Sequence, residues 1–243
     1  MTSRQGCRFS RGLIGLLLAV CIVGAADAQR RREFPPAYTP EPDARDLKSV
    51  LFNWTWHMGM LRGVDEHELA VTLEYQGNGT LFVDGQPCQS AAYRTSNNYQ
   101  YAGQRNQYTC TLPDGSTHSD IEVVSGQYAW NEDALGAGIV EGSGTATPRP
   151  DAITERMIRL WADPQGAAKA ALAGAGIGLL AMDRNPGVLL TDGTERIGET
   201  SVSWRRGKPV ITYPVPGLDN ARAQATLDDR FMAERIVVSH GGD

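Results

Sequence analysis

The chain has none of the compact signatures that declare an enzyme's chemistry. "EGSG" lacks the glycine two residues before Ser143 that the serine-hydrolase elbow requires. "GAGIG", at Gly174 to Gly178, brings its third glycine too early for a dinucleotide-binding loop. Positive charge is not in excess either: the formal net charge is -5, which argues against a nucleic-acid partner. Beyond the first thirty residues or so, no apolar run is long enough to span a bilayer as a helix. Cysteine is scarce, with four in the chain. That number excludes a dense disulfide framework.

The N-terminal segment reads as an export address. Arg4, Arg8 and Arg11 precede the apolar run Leu13 to Val23, and Ala26-Asp27-Ala28 supplies a signal-peptidase site. A signal peptide over 1–28 is expected, with a mature protein starting near Gln29 in the periplasm or outside the cell. Leu18-Ala19-Val20-Cys21 is the rival lipid-attachment reading, weakened by Val20 where a small residue is required. Cleavage would remove Cys7 and Cys21 and leave Cys88 and Cys110. In an oxidising compartment these two are expected to pair as a structural brace. Residues 29–42, with three consecutive arginines and then four prolines, predict an extended tail.

The rest predicts an α+β fold in which antiparallel β-meander sheets pack with an N-terminal amphipathic helix and a central pair of short helices. Residues 43–147 would hold the helix and the braced hairpins. Residues 148–243 would hold the short helices and a C-terminal meander, either as a second domain or as one continuous domain with the first part. Asp43 to Arg62 predicts the first helix, capped by Asp43 and stopped by Gly63. Leu47, Val50, Leu51, Trp54, Met58 and Leu61 fall on one stripe at helical period, and Phe52, Trp56 and Met60 on a second, nearly opposite. The first is the expected core face. The second, with His57, is the expected binding face if no further layer covers it. His57 has only Asn53 and Leu61 at helical spacing, so it is not read as a metal ligand.

In "ELAVTLEYQGNGTLFVDGQPC" the alternation predicts a hairpin turning at Gly77-Asn78-Gly79, with another turn at Asp84-Gly85. Leu69, Val71, Leu73 and Tyr75 would share a face. "QRNQYTCTLPDGSTHSDIEVVSG" predicts a second hairpin with Pro-Asp-Gly at its tip. Between them "YRTSNNYQYAGQRNQY" suits an exposed loop, making Tyr99 and Tyr101 candidate binding residues. Tyr128 and Trp130 read as core plugs, and Glu132 and Asp133 as solvated loop acids. Asp151 should open one helix, and Asp163-Pro164 a second that Gly174 ends. From Ile177 onward, short strands separated by turn signals predict sequential hairpins. Alanines alternating with Arg222, Gln224 and Thr226 suggest a small-residue face.

"WHMGMLRG", "YAWNED" and "ERMIRLWADPQGAAKAA" resemble segments of a group of exported bacterial proteins of unassigned role. The resemblance runs through most of the chain and transfers no activity and no site residue. A helix backed by an antiparallel meander is also similar in outline to periplasmic lipoprotein carriers, an architectural likeness only. The functional expectation is an exported soluble protein that binds an apolar small molecule, a lipid or an envelope protein in a cleft between helix and sheet. No cofactor and no metal is expected. The rivals are a hydrolase or lyase with dispersed acidic and histidine residues, such as His67 in "DEHE", and a structural subunit of an envelope complex.

Overall fold

The computed structural model describes residues 43, 45–60, 71–137, 140–176 and 192–241, with the backbone alone at 188–189. The expected signal peptide, the expected arginine-proline tail, the expected stop at Gly63 and His67 lie outside the described residues. Two six-stranded antiparallel sheets make up most of the fold, each with its strands in sequence order. Sheet A runs β1 (Thr72–Val83), β2 (Gln86–Asn98), β3 (Gly103–Thr111), β4 (Thr117–Ser125), β5 (Tyr128–Glu132) and β6 (Ala146–Pro148). Sheet B runs β7 (Val188–Leu189), β8 (Glu195–Ile197), β9 (Thr200–Arg205), β10 (Lys208–Pro214), β11 (Ala221–Leu227) and β12 (Ala233–His240). With three α-helices among the described residues, this is an α+β fold with meander sheets.

The turns follow their chemistry. Asp84 and Gly85 have φ of 49° and 77°, the two left-handed positions of a tight hairpin, so β1 and β2 reverse there. Arg206 and Gly207, at 52° and 80°, do the same between β9 and β10. The expected reversal at Gly77-Asn78-Gly79 does not occur. β1 runs straight through it, and the pairing with β2 slips between Gly77 and Gly79 as a bulge. The reason is long-range: a side chain on Gly77 would meet the Tyr93 ring of β2 at 2.8 Å, so the glycine makes room for an aromatic neighbour. The polar stretch expected as an exposed loop is likewise mostly strand, the ends of β2 and β3 with a short turn at Tyr99–Ala102. Cys88 and Cys110 form the disulfide, with Cα atoms 5.4 Å apart, and tie β2 to β3.

Helix α1 is Leu47–His57, shorter than its apolar pattern. Asp46 rather than Asp43 caps it, because its carboxylate accepts from Ser49 N at 2.9 Å. Gly59, at φ 71°, follows its last turn. Of the expected core stripe Leu47, Val50, Leu51 and Trp54 are fully buried, Met58 past the helix end is only half-buried, and Leu61 lies outside the described residues. Helix α2 (Ile153–Ala162) follows a 3-10 turn at Pro150–Ala152, and α3 (Pro164–Ala175) follows at once. Asp163 caps α3 through Gln165 N and Gly166 N. Gly176, at φ 110°, ends α3, so Gly174 lies inside the helix. There it allows close packing: a Cβ would come within 2.5 Å of Thr200 Oγ1 and 2.7 Å of Pro214.

The helices lie between the sheets' elements. α2 packs on β3, β4 and β5 of sheet A and on β12 of sheet B, while α3 packs on β8, β9, β10 and β12, and α1 lies against α3 and β8. Leu47 N donates to Glu195 Oε2 at 2.8 Å, which fixes α1 to β8. Ala221, Ala223, Ala225 and Leu227 form the buried face of β11, with Arg222 and Gln224 exposed between them. Residues 39–243 group as one unit. Among the described residues no helix is long and apolar enough to cross a membrane.

Candidate functional site

The register of sheet A gathers its polar and aromatic side chains into rows. Tyr75, Thr95, Asn106, Glu122 and Asn131 are successive cross-strand partners from β1 to β5. The next row is Gly77, Tyr93, Tyr108 and Asp120. Direct partners share a face, and rows two residues apart share it too. All of these but Gly77 and Asn131 line a cleft of about 700 Å³ whose far wall carries Arg149, Glu155, Arg156 and Arg159. Thr80 to Asp84, at the tip of the β1–β2 hairpin, line the same cleft. Bulges at Gly77/Gly79 and at Ser90/Ala92 sit side by side in β1 and β2 and bend this arm.

Aromatic rings make the floor. Tyr75 meets Tyr93 edge to face at 6.3 Å between centroids, and Tyr108 lies 6.0 Å from His118. Burial, then Glu122, pushes the Tyr108 hydroxyl up to about 12, so it remains a donor throughout the physiological range. Among the described residues neither the Tyr93 nor the Tyr108 hydroxyl has a hydrogen-bond partner. Asp120 is raised above the ordinary carboxylate range by burial and by Glu122 beside it. Its Oδ2 accepts from Asn131 Nδ2 at 2.8 Å.

The guanidiniums of the far wall are already engaged. Arg156, buried, donates to Val123 O at 2.9 Å and Trp130 O at 2.8 Å, and also to Asn131 Oδ1. Arg159 pairs with Glu122 and, at 2.6 Å, with Glu155. Arg149 pairs with Asp151 at 2.8 Å. Asn131 thus links the helix-borne Arg156 to the strand-borne Asp120.

A hydrogen-bonded chain runs from the cleft into the interior. Thr95 Oγ1 donates to Asn106 Oδ1 at 2.7 Å, Asn106 Nδ2 to Gln104 Oε1 at 3.1 Å, and Gln104 Nε2 to Asn97 Oδ1 at 3.0 Å. Asn97 Nδ2 ends it on Asp163 Oδ2 at 2.9 Å. Every donor points toward Asp163. A satisfied network of this kind fixes a single arrangement of the groups it contains.

The residues expected from sequence lie elsewhere. Phe52 and Met60 are buried, leaving Trp56, half-buried and stacked on Phe52 at 5.7 Å, as the accessible part of that stripe. His57 is exposed, its Nδ1 2.7 Å from Asn53 O and its ring 6.5 Å from Phe231. Tyr101 is 67% exposed at its turn. Tyr99 is buried, its ring 6.0 Å from Trp161 and 4.8 Å from the Lys169 ammonium. None of the six lines the cleft, although Tyr99 adjoins the interior end of the hydrogen-bonded chain. Tyr128, expected as a core plug, is 74% exposed. Glu132, expected in solvent, is buried and accepts from Arg105, Trp130 Nε1 and Gly136 N, which anchors the following loop. Asp133 accepts from Thr145 N. The signal for the cleft was the period-two placement of tyrosine and polar residues in "YRTSNN", "NQYTC" and "HSDIE".

A second hollow, about 790 Å³, lies beside Trp204 and Phe231. Arg45 already stacks on the Trp204 ring at 5.1 Å and accepts from its Nε1 through the backbone, so that wall is engaged. Among the described residues no three of the His, Cys, Asp and Glu side chains converge as a metal site would need. No family model, curated protein or solved structure matches the chain.

Proposed function

We propose that the protein is an exported binding protein and that the cleft between sheet A and α2 is its ligand site. One observation carries the reading: tyrosines from three consecutive strands form a floor in a cleft that also holds hydroxyls and a carboxylate with unused hydrogen-bonding capacity. Ligand sites combine apolar walls with a few convergent polar groups in this way, and the volume lies in their range. The disulfide supports export, since such bonds persist in oxidising compartments. The lining alters the ligand expected from sequence. Its mixed character suits a molecule with both an apolar face and hydrogen-bonding groups better than a purely apolar one.

Native mass spectrometry of protein purified from the cell envelope tests the reading, supported by thermal shifts against a small-molecule library. A bound species on the wild type that disappears in a Tyr93→Ala/Tyr108→Ala variant supports it. No bound species, together with no thermal shift that depends on these tyrosines, would sink it.

A further inference from the structure

On the reading of the cleft as a ligand site, we propose that the ligand is a neutral polyhydroxylated molecule, a short oligosaccharide. The charges of the lining argue first. Asp84, Asp120, Glu122 and Glu155 stand against Arg149, Arg156 and Arg159, so there is no positive excess to hold an anion. Each guanidinium is also already bonded to a carboxylate or to backbone carbonyls. A phosphate or carboxylate would have to break those bonds to enter. A cation would likewise find Glu122 and Glu155 already paired with Arg159.

A wholly apolar ligand fits no better. It would cover Asp120 and the hydroxyls of Tyr93 and Tyr108 without offering partners, and each buried group left unpaired costs about 1–3 kcal/mol. Sugar hydroxyls both donate and accept, so one ligand can satisfy tyrosine hydroxyls and the second oxygen of Asp120 together. The C–H faces of a sugar ring are apolar and lie well against aromatic rings, which provide large contact area at low conformational cost. Asp120, raised by burial, can serve a vicinal diol as acceptor or, when protonated, as donor. A site built around hydroxyl partners rejects analogues that lack them far more strongly than it rejects a missing methylene.

The test is isothermal titration of the full mature chain with malto-, cello- and chito-oligosaccharides, and separately with a lysophospholipid. Wild type is compared with Tyr108→Ala, Tyr108→Phe, Asp120→Asn and, as a control outside the cleft, Tyr128→Ala. Circular dichroism first establishes that each variant is folded. Tyr108→Phe keeps the ring, so it reports on the site even if the alanine variant fails to fold. Binding of one series that weakens about tenfold or more in Tyr108→Ala and Asp120→Asn, but not in Tyr128→Ala, supports the proposal. Lysophospholipid binding that depends on Tyr108, with no sugar binding, overturns the ligand class and leaves the cleft as a site. Sugar binding indifferent to all cleft variants overturns the placement. Binding of neither probe overturns the sugar proposal and counts against the ligand-site reading as well.

Discussion

The Tyr99 hydroxyl donates to the Asp163 carboxylate at 3.2 Å, and the same carboxylate caps α3 by accepting from Gln165 N and Gly166 N at 2.9 and 2.7 Å. One side chain therefore fastens the end of β2 to the junction of α2 and α3. Asp163→Ala removes the cap and leaves buried donors without an acceptor. It should cost about 2–4 kcal/mol, read as a shift of the urea midpoint. Asp163→Asn keeps an acceptor and should cost less. Burial raises the Asp163 carboxyl above its ordinary range, which its hydrogen bonds only partly offset. A raised acid keeps its proton in the folded state while the unfolded state has lost it. Wild type should therefore lose stability relative to Asp163→Asn as pH rises from about 3.9 through the folded value, and the difference should then level off. A difference that stays flat with pH would contradict this.

Lys169 titrates in the opposite sense. Burial pushes its ammonium down to about 8 although it lies over the Tyr99 ring. Between that value and about 10.4 the unfolded chain holds the proton and the folded chain does not. Wild type should thus gain stability relative to Lys169→Met as pH rises through this window. Paired denaturation curves at several pH values read the sign directly.

Trp54 is fully buried and Trp56 only half so. Trp54→Ala should cost roughly 3–5 kcal/mol, and Trp56→Ala, which gives up mainly its stacking on Phe52, about 1–2 kcal/mol. Thermal unfolding separates them. Equal, large losses would mean that Trp56 is as much a core residue as Trp54.

The β1–β2 arm rests on Gly77. Gly77→Ala would place a Cβ 2.8 Å from the Tyr93 ring, so ring or strand must shift. A loss of about 1–3 kcal/mol is expected, with a change in the near-ultraviolet dichroism of tyrosine. An unchanged spectrum and stability would show that the arm adapts without cost.

Removing the Cys88–Cys110 bond by a double serine substitution should cost about 3 kcal/mol for a loop of this size, seen as a lower denaturation midpoint under identical buffer conditions. Unchanged stability would reduce the bond to an incidental pairing.

Features decided by neighbours along the chain were legible in the sequence. Asp163-Pro164 reads as a cap and first-turn proline because both act within one helical turn. Asp84-Gly85 reads as a hairpin turn because two left-handed residues in succession leave little else. The strand alternation gave the meanders. The cleft was not legible, because it depends on which strand residues face one another. Gly77-Asn78-Gly79 is a turn signal locally, yet it becomes a bulge once Tyr93, sixteen positions later, needs the space above Gly77. Tyr99 and Tyr101, alike in sequence, end up buried and exposed because the turn between β2 and β3 begins at the first of them. Whether the stripe of Phe52 and Met60 was covered could not be known before the layers around α1 were placed.

The strand order carries a kinetic consequence. Every strand in either sheet pairs with its predecessor in the chain, so each sheet closes through short loops and can be laid down progressively. Helix α1 is the exception. Leu47 bonds to Glu195 across 148 positions, and the backbone of Arg45 to Trp204 across 159. The first described helix can therefore settle on α3 once that helix exists, but its hydrogen bonds wait for β8 and β9. The fastening of the N-terminal helix is among the last contacts that the chain order allows to form.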